Sequence, residues 1–448
     1  MIDPNEQAER KHDKDADLEP GFKMTELGPL PVDWDVVRLS EVADYINGYA
    51  FKSTEWGAKG LPIIRIQNLN DPSKPYNYFA GTINERYKVH PGDILISWSA
   101  SLGAFKWQGQ DAWLNQHIFK AIIDEKVIDR DYFYWMIKKE ITRIAESARG
   151  STMKHVTRKT FVNSLVPLPP RQDQYGIAHT LDAVQQGIEE TGKVVDAARE
   201  LKKSLMRHLF TYGPVPFNQA DQVPLKETEI GLVPIHWPIV YVQEIAAKGK
   251  GTIRMGPFGS QLKKSELTTE GIKVYGQQNV IRNNFSLGDR FINFDKYKSL
   301  KGFEVKPEDI LLTMMGTVGH SIVFPGDAAK GIIDSHLIRI TADKTKVIPQ
   351  FLAISFQSSK VKEQVESRGH GVVMKGLNST IVKSLSVPLP PLPEQQEIAR
   401  ILQAVDKKIE AEENRKRALE VQFKTLLHYL MTGKIRVKDV VEVKHEAR

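Results

Sequence analysis

The sequence predicts an α+β protein: two pseudo-repeated domains separated by two long antiparallel coiled-coil helices. Three observations carry this reading. The chain is written twice. Each copy opens with short apolar runs punctuated by Gly, Pro and Asn. Each copy closes with a proline-free stretch of about forty residues whose apolar positions step by three and four.

The repeat is collinear. Val166-Pro167-Leu168-Pro169-Pro170 recurs as Val387-Pro388-Leu389-Pro390-Pro391. At the same offset, Ile177, Ala178, Leu181 and Ile188 match Ile398, Ala399, Leu402 and Ile409, and Leu205 and Leu209 match Leu426 and Leu430. Earlier matches pair Gly28, Pro31 and Trp34 with Gly231, Pro234 and Trp237, and Gly60, Gln67 and Asn68 with Gly271, Gln278 and Asn279. Asp93 pairs with Asp309, His117 with His336, and Gly150, Met153 and Lys154 with Gly371, Met374 and Lys375.

Taken in order, residues 1–21 form an arm that is rich in charge of both signs and poor in apolar residues, which reads as solvated. Residues 22–170 form the first α+β domain. Leu61–Ile66 and Asp93–Trp98 read as strands and Asp131–Glu146 as a helix. Residues 171–213 form the first long helix, capped by Gly213. Residues 214–391 hold a linker and the second α+β domain, with strands at Ile310–Met314 and Gly331–Ile340 and a helix at Gln350–Glu366. Residues 392–433 form the second long helix, ending at Gly433, and 434–448 are a tail. Forty residues at 1.5 Å each make a helix of roughly 60 Å. Thr191, Lys202, Glu412 and Lys416 interrupt the two seams with polar side chains.

Composition sets limits. The 448 residues suggest two to four domains. Lys and Arg exceed Asp and Glu by 62 to 55, a thin excess that permits a polyanionic partner without demanding one. Cysteine is absent, which excludes disulfides, thiol catalysis and Cys-based zinc sites and suits a cytoplasmic protein. No apolar run approaches 18 residues, so no membrane association is expected.

Catalytic signatures are missing. There is no Gly-x4-Gly-Lys-Ser/Thr loop and no strand–Gly-x-Gly-x-x-Gly–helix unit. Asp71-Pro72-Ser73-Lys74-Pro75-Tyr76 lacks the consecutive prolines of an amino-methyltransferase motif and reads as a turn. Glu304-Val305-Lys306 near Asp309 has nuclease-like letters in the wrong order and reads as a turn feeding a buried strand. The histidines show no metal-ligand spacing. His117 and His336 are expected to pack at strands. No catalytic residue, metal or cofactor is expected.

The remaining signal favours a polyanion. Residues 138–159 hold seven basic side chains against two acidic ones, and 360–383 hold five against two. Within them Arg149, Lys154, Arg158, Lys159, Arg368 and Lys375 are candidates for phosphate contact. Two Gly-rich polar loops, one near the front of each copy, supply further candidates: Tyr49, Phe51, Lys52 and Ser53, then Phe258, Ser260 and Gln261.

The doubled chain, the Pro-Leu-Pro-Pro stops, Glu394-Gln395-Gln396-Glu397-Ile398-Ala399, Pro91-Gly92-Asp93-Ile94-Leu95 and the Gly48–Ser53 loop resemble the DNA-specificity subunit of type I restriction–modification systems. So do the helix endings Leu205–Thr211 and Leu426–Lys434. Copy one departs at Arg171-Gln172-Asp173-Gln174, where copy two has Leu392-Pro393-Glu394-Gln395. The resemblance implies two target-recognition domains, each reading half of a split double-stranded DNA site. It implies two methyltransferase subunits docked on the long helices, for which Ile177, Leu181, Leu205, Leu209, Ile398, Leu402, Leu426 and Leu430 are the candidates. It also implies an ATP-dependent restriction and translocase subunit. The competing reading is a standalone nuclease or methyltransferase whose only paired candidates are Asp93/Asp309 and His117/His336. A protein-binding scaffold is a third.

Overall fold

The computed structural model describes residues 18–98, 102–148, 158–315, 318–368 and 377–437. The chain divides into two units. One takes residues up to Gly192 and those from Asn414 onward; the other is Lys193–Glu413.

The first unit contains two four-stranded sheets. One runs in the order 77–79, 61–64, 112–114, 88–89, and the other 43–47, 118–123, 94–97, 103–106. Strands 61–64 and 112–114 are parallel, with Trp113 opposite Ile63; every other pairing in these two sheets is antiparallel. The second unit repeats both orders, as 291–292, 272–275, 331–333, 304–305 and as 253–255, 337–340, 310–313, 321–323. Its parallel pair is 272–275 with 331–333.

The sequence repeat is thus a repeat of topology, and the matched residues explain why. Gly28 and Gly231 turn matching hairpins at φ +92° and +85°, where a Cβ is strained. Thr25 and Thr228 donate their hydroxyls to the carbonyls of those glycines, at 2.7 and 2.6 Å. Asn68 accepts from Arg65 N–H and donates to Lys74 O; Asn279 accepts from Gly276 N–H and donates to Asn284 O and Leu287 O. Each buried amide thereby caps a short helix and braces the loop behind it.

Helix α1 (Arg130–Ala148) packs Phe133, Trp135, Met136 and Ile137 into the first core. The helix expected at Gln350–Glu366 is instead two, Pro349–Ser355 and α2 (Ser359–Arg368). Ser355 Oγ donates to Phe351 O and Ser358 Oγ to Ser355 O, local bonds that compete with helix continuation.

The long helices are α3 (Arg171–Tyr212) and α4 (Leu392–Leu430), of 42 and 39 residues. Gly213 follows α3 at φ +82°, as expected of a C-cap; α4 stops three residues earlier than expected, and Gly433 (φ +66°) closes the turn after it. At the start of each sits a buried glutamine. Gln174 donates to Pro169 O and accepts from Asp129 N–H. Gln395 donates to Pro390 O and Lys346 O and accepts from Ile348 N–H. These amides tie the proline stop, the long helix and the α+β domain together.

The division between the units falls inside both long helices. In the first unit, Ile177, Ala178 and Leu181 share a core with Leu426, Leu427 and Leu430. In the second, Leu205, Leu209 and Phe210 share one with Ile398, Ala399 and Leu402. The helices run antiparallel within the second unit, where Arg199 meets Glu413 and Lys202 meets Asp406, both at 2.6 Å.

Candidate nucleic-acid interface

In each unit, polar loops converge at the carboxyl ends of the parallel strand pair. This is the only place in each unit where two described strands of one sheet end side by side in the same direction, so the loops leaving them must open together. In the first unit, Arg65 and Gln67 follow strand 61–64, and Asn115, Gln116 and His117 follow strand 112–114. The Gly48–Ser53 loop joins them, since Tyr49 bridges Asn115 and donates its N–H to Leu114 O at 2.8 Å. A Cβ on Gly48 would overlap Asn115 O, so only glycine permits this approach. The second unit repeats it: Gly256 donates to Leu337 O, and a Cβ there would overlap Asp334 O. Around it lie Gln277, Gln278, Arg290, Asp334, Ser335 and His336.

A guanidinium occupies each convergence. Arg65 Nη1 donates to Asn77 Oδ1 at 3.2 Å, and the group lies 4.9 Å from the Trp56 ring centroid. Arg290 Nη2 donates to Asp334 Oδ2 at 2.9 Å, while Asp334 Oδ1 accepts from His336 N–H. Neither arginine stands in a motif of the sequence. The matched Gln67-Asn68 and Gln278-Asn279 beside them were the available signal.

The expected loop residues divide by burial. Lys52 and Ser53 are exposed and Tyr49 is half-buried, its ring 5.7 Å from that of Tyr87. Phe51 is a correction. Only 8 % exposed, it packs with Ile63 and Trp113 and sets its ring against Phe79. It holds the loop down, because an aromatic ring gains most where it loses most water contact. Phe258, Ser260 and Gln261 are all exposed, and Gln261 accepts from Phe258 N–H to close the loop.

The basic stretches contribute less free charge than their counts suggest. Arg143 is paired with Glu140. Lys138 lies 4.8 Å from the Trp135 ring centroid. Burial pushes the Lys139 ammonium down to about 8. Lys360 is half-buried and donates to Ile230 O and Leu232 O. Arg158 donates to Tyr45 O, and Lys159 is exposed. Arg149, Lys154 and Lys375 lie outside the described residues, as does the side chain of Arg368, the last residue of α2.

The candidates of the competing catalytic reading occupy turns and exposed loops. Asp93 and Asp309 each accept a backbone N–H three residues back, at 2.9 and 2.8 Å, in the turn before a buried strand. Asp309 is buried and also bonded by Thr341. His117 and His336 are exposed in the loops just before strands 118–123 and 337–340; the His117 ring centroid lies 5.9 Å from that of Trp98, and His336 Nδ1 lies 3.6 Å from Asp334 Oδ2. Among the described residues no group of His, Cys, Asp and Glu is arranged to hold a metal, and no helix is long and apolar enough to cross a membrane.

The seam residues expected to dock partners sit inside their own units. Ile177, Leu181, Leu209, Ile398, Leu402 and Leu430 are all at most 2 % exposed, and Leu205 and Leu426 are partly buried against the same cores. A three-to-four spacing marks a buried face but does not say whose surface covers it.

A family model described as the type I restriction modification DNA specificity domain matches residues 31–194 and 255–421. The chain belongs to the type I restriction–modification DNA-specificity family. Among its relatives, the type I restriction enzyme MjaVIII specificity subunit of Methanocaldococcus jannaschii is 26 % identical over 94 % of this chain and 97 % of its own length. The EcoBI specificity subunit of Escherichia coli is 26 % identical over 82 % of this chain and 78 % of its own. The solved structure of the S subunit from M. genitalium matches with a TM-score of 0.56 at 15 % identity, covering 92 % of this chain and 99 % of that one. A second, from a study of type I complex assembly and conformational transition, matches at 0.52 and 16 % identity, covering 91 % and 99 %. These likenesses carry the fold, two α+β domains with long helices. Family membership makes the chain a non-catalytic DNA-recognition component of a type I system. It functions in assembly with methyltransferase and restriction subunits on DNA.

Proposed function

We propose that each α+β domain, 22–170 and 214–391, reads one half of a two-part double-stranded DNA site. The long helices, 171–213 and 392–433, fix the length of the undefined spacer between the halves. The observation that carries this reading is the same converging polar cluster built once in each unit at the ends of a parallel strand pair. Two readers on helices of about 60 Å require half-sites at a set separation, on the order of one DNA turn. Two methyltransferase subunits dock on the exposed faces of the helices, since the seam itself is consumed by the core. Val194 and Leu201 are exposed apolar residues seven apart on α3 and fit such a face. Methyl transfer, ATP use and cleavage belong to the partner subunits, and the complex works in the cytoplasm.

The test is made on the assembled methyltransferase complex. Inserting two or four residues near Lys202 is expected to change the spacer length that is recognised. Exchanging residues 226–386 for another recognition domain is expected to change one half-site only. An unchanged spacer after both insertions would overturn the ruler. Loss of both half-sites after the exchange would overturn the assignment of one domain to one half.

A further inference from the structure

We infer that each unit reads one guanine through a single arginine held at the end of its parallel strand pair: Arg65 in the first unit and Arg290 in the second. This deepens the DNA-specificity reading and rests on it.

The two arginines come from different strands yet reach corresponding places. Arg65 follows strand 61–64 and Gly276 follows strand 272–275, and each donates its N–H to the matched cap, Asn68 or Asn279. These two positions therefore correspond. So do Asn77 and Arg290, each two residues before the strand residue paired with Leu61 or Ile272. The first unit thus has arginine on the central strand and a short amide on its neighbour. The second has glycine on the central strand and arginine on the neighbour. A Cβ on Gly276 would overlap Arg290 Nη2 and lie 2.7 Å from Asp334 Oδ2. The guanidinium of the second unit fills the space in which the arginine of the first is rooted. Two routes to one group in one place argue for a use of that group.

The chemistry favours a base edge over a phosphate. Asp334 is buried, and its carboxylate at 2.9 Å orients Arg290 while opposing the approach of a phosphate oxygen. A guanine edge is neutral and offers O6 and N7 as paired acceptors. Arg290 commits one nitrogen to Asp334, and its side chain remains 41 % exposed, leaving donors of the fork for a bidentate contact. Arg65 is held by a neutral amide and the Trp56 ring, which leaves donors free in the same way. Asp334 is a positioning residue.

The experiment uses the complex with its methyltransferase subunits and a library of randomised duplexes at fixed salt. The wild-type complex is expected to select a two-part consensus with a guanine in each half. R290A and R290K are expected to lose about 5–150-fold preference for the guanine of one half while retaining the other half, and R65A the reverse. The retained half reports that each variant complex is folded. D334N is expected to lower the same guanine preference as R290A without changing the salt dependence of binding. If R290A and R65A keep both guanine preferences, the inference is wrong. It is also wrong if they weaken all sequences alike with a smaller salt slope, the mark of phosphate contacts. A wild-type complex that selects no sequence would instead sink the DNA-specificity reading beneath it.

Discussion

Trp237 donates its indole N–H to Glu394 Oε2 at 2.8 Å, joining the first hairpin of the second unit to the opening turn of α4. Trp34 holds the corresponding place in the first unit and is as deeply buried, yet its Nε1 finds no acceptor among the described residues. The residue matching Glu394 is Asp173, one methylene shorter, and it pairs with Arg436 at 2.6 Å. The difference noted in the sequence between Asp173-Gln174 and Glu394-Gln395 is therefore a change of partner. His236 Nε2 also lies 2.8 Å from Glu394 Oε1.

Glu394→Ala is expected to lower the stability of the second unit by about 1–3 kcal/mol, because a buried indole N–H is left unsatisfied. Glu394→Asp is expected to do nearly the same, since the shorter side chain withdraws the acceptor. Denaturant unfolding of the full chain measures both. A midpoint unchanged in Glu394→Ala would show that the bond contributes nothing net.

Arg436 straps the C-terminal segment onto the first unit. It bonds both oxygens of Asp33 and lies 5.9 Å from the Trp34 ring centroid. The Arg436 hydrogen bond holds the Asp33 carboxyl below its usual 3.8. Because the folded pKa is the lower one, the stabilisation is complete above 3.8 and disappears as pH falls through the lowered value. The Tm difference between the native chain and Arg436→Ala should therefore be larger at pH 7 than at a pH below the lowered Asp33 value. An equal difference at both would show that the contact acts through packing alone.

Gly256→Ala is expected to cost more than the roughly 1–3 kcal/mol usual for overpacking, because the obstructing atom is a backbone carbonyl that cannot swing away. The damage should centre on the 256–261 loop and the second half-site. Hydrogen exchange resolved by peptide checks where it falls; faster exchange spread evenly over both units would contradict this.

Lys139 carries a charge that burial disfavours, its pKa pushed from the usual 10.5 to about 8. Between about 8 and 10.5 the unfolded chain holds this proton and the folded chain does not, so this group makes stability rise with pH across that window. Lys139→Met is expected to stabilise the chain at pH 7, by on the order of 1–3 kcal/mol, and to flatten that rise. A variant less stable at pH 7 would mean that the ammonium has a partner worth more than its desolvation.

Much of the architecture was legible because repetition and periodicity are properties of the chain itself. The Val-Pro-Leu-Pro-Pro stops, the apolar steps after them and the matched Trp34 and Trp237 pointed to two α+β domains and two long helices. The binding surface was less legible. Phe51 looked like a loop-tip ligand contact until its ring met Phe79 and Trp113. Lys138, Arg143 and Lys360 counted toward a basic patch until aromatic faces, Glu140 and backbone carbonyls claimed them. Charge counting cannot register such partners, because they come from residues far away in sequence or on the far side of a helical turn.

The sequence by itself determined the doubled organisation, the lengths of the helices and the family, since each is written in spacing and residue type along one dimension. Only the tertiary structure decided that each unit takes part of both long helices, that the seam residues are buried in the cores of their own units, and that Arg65 and Arg290 reach corresponding places from different strands. Side-chain position depends on which strands lie side by side. The parallel pairing of 61–64 with 112–114, and of 272–275 with 331–333, joins segments about fifty to sixty residues apart, a relation that no local pattern encodes.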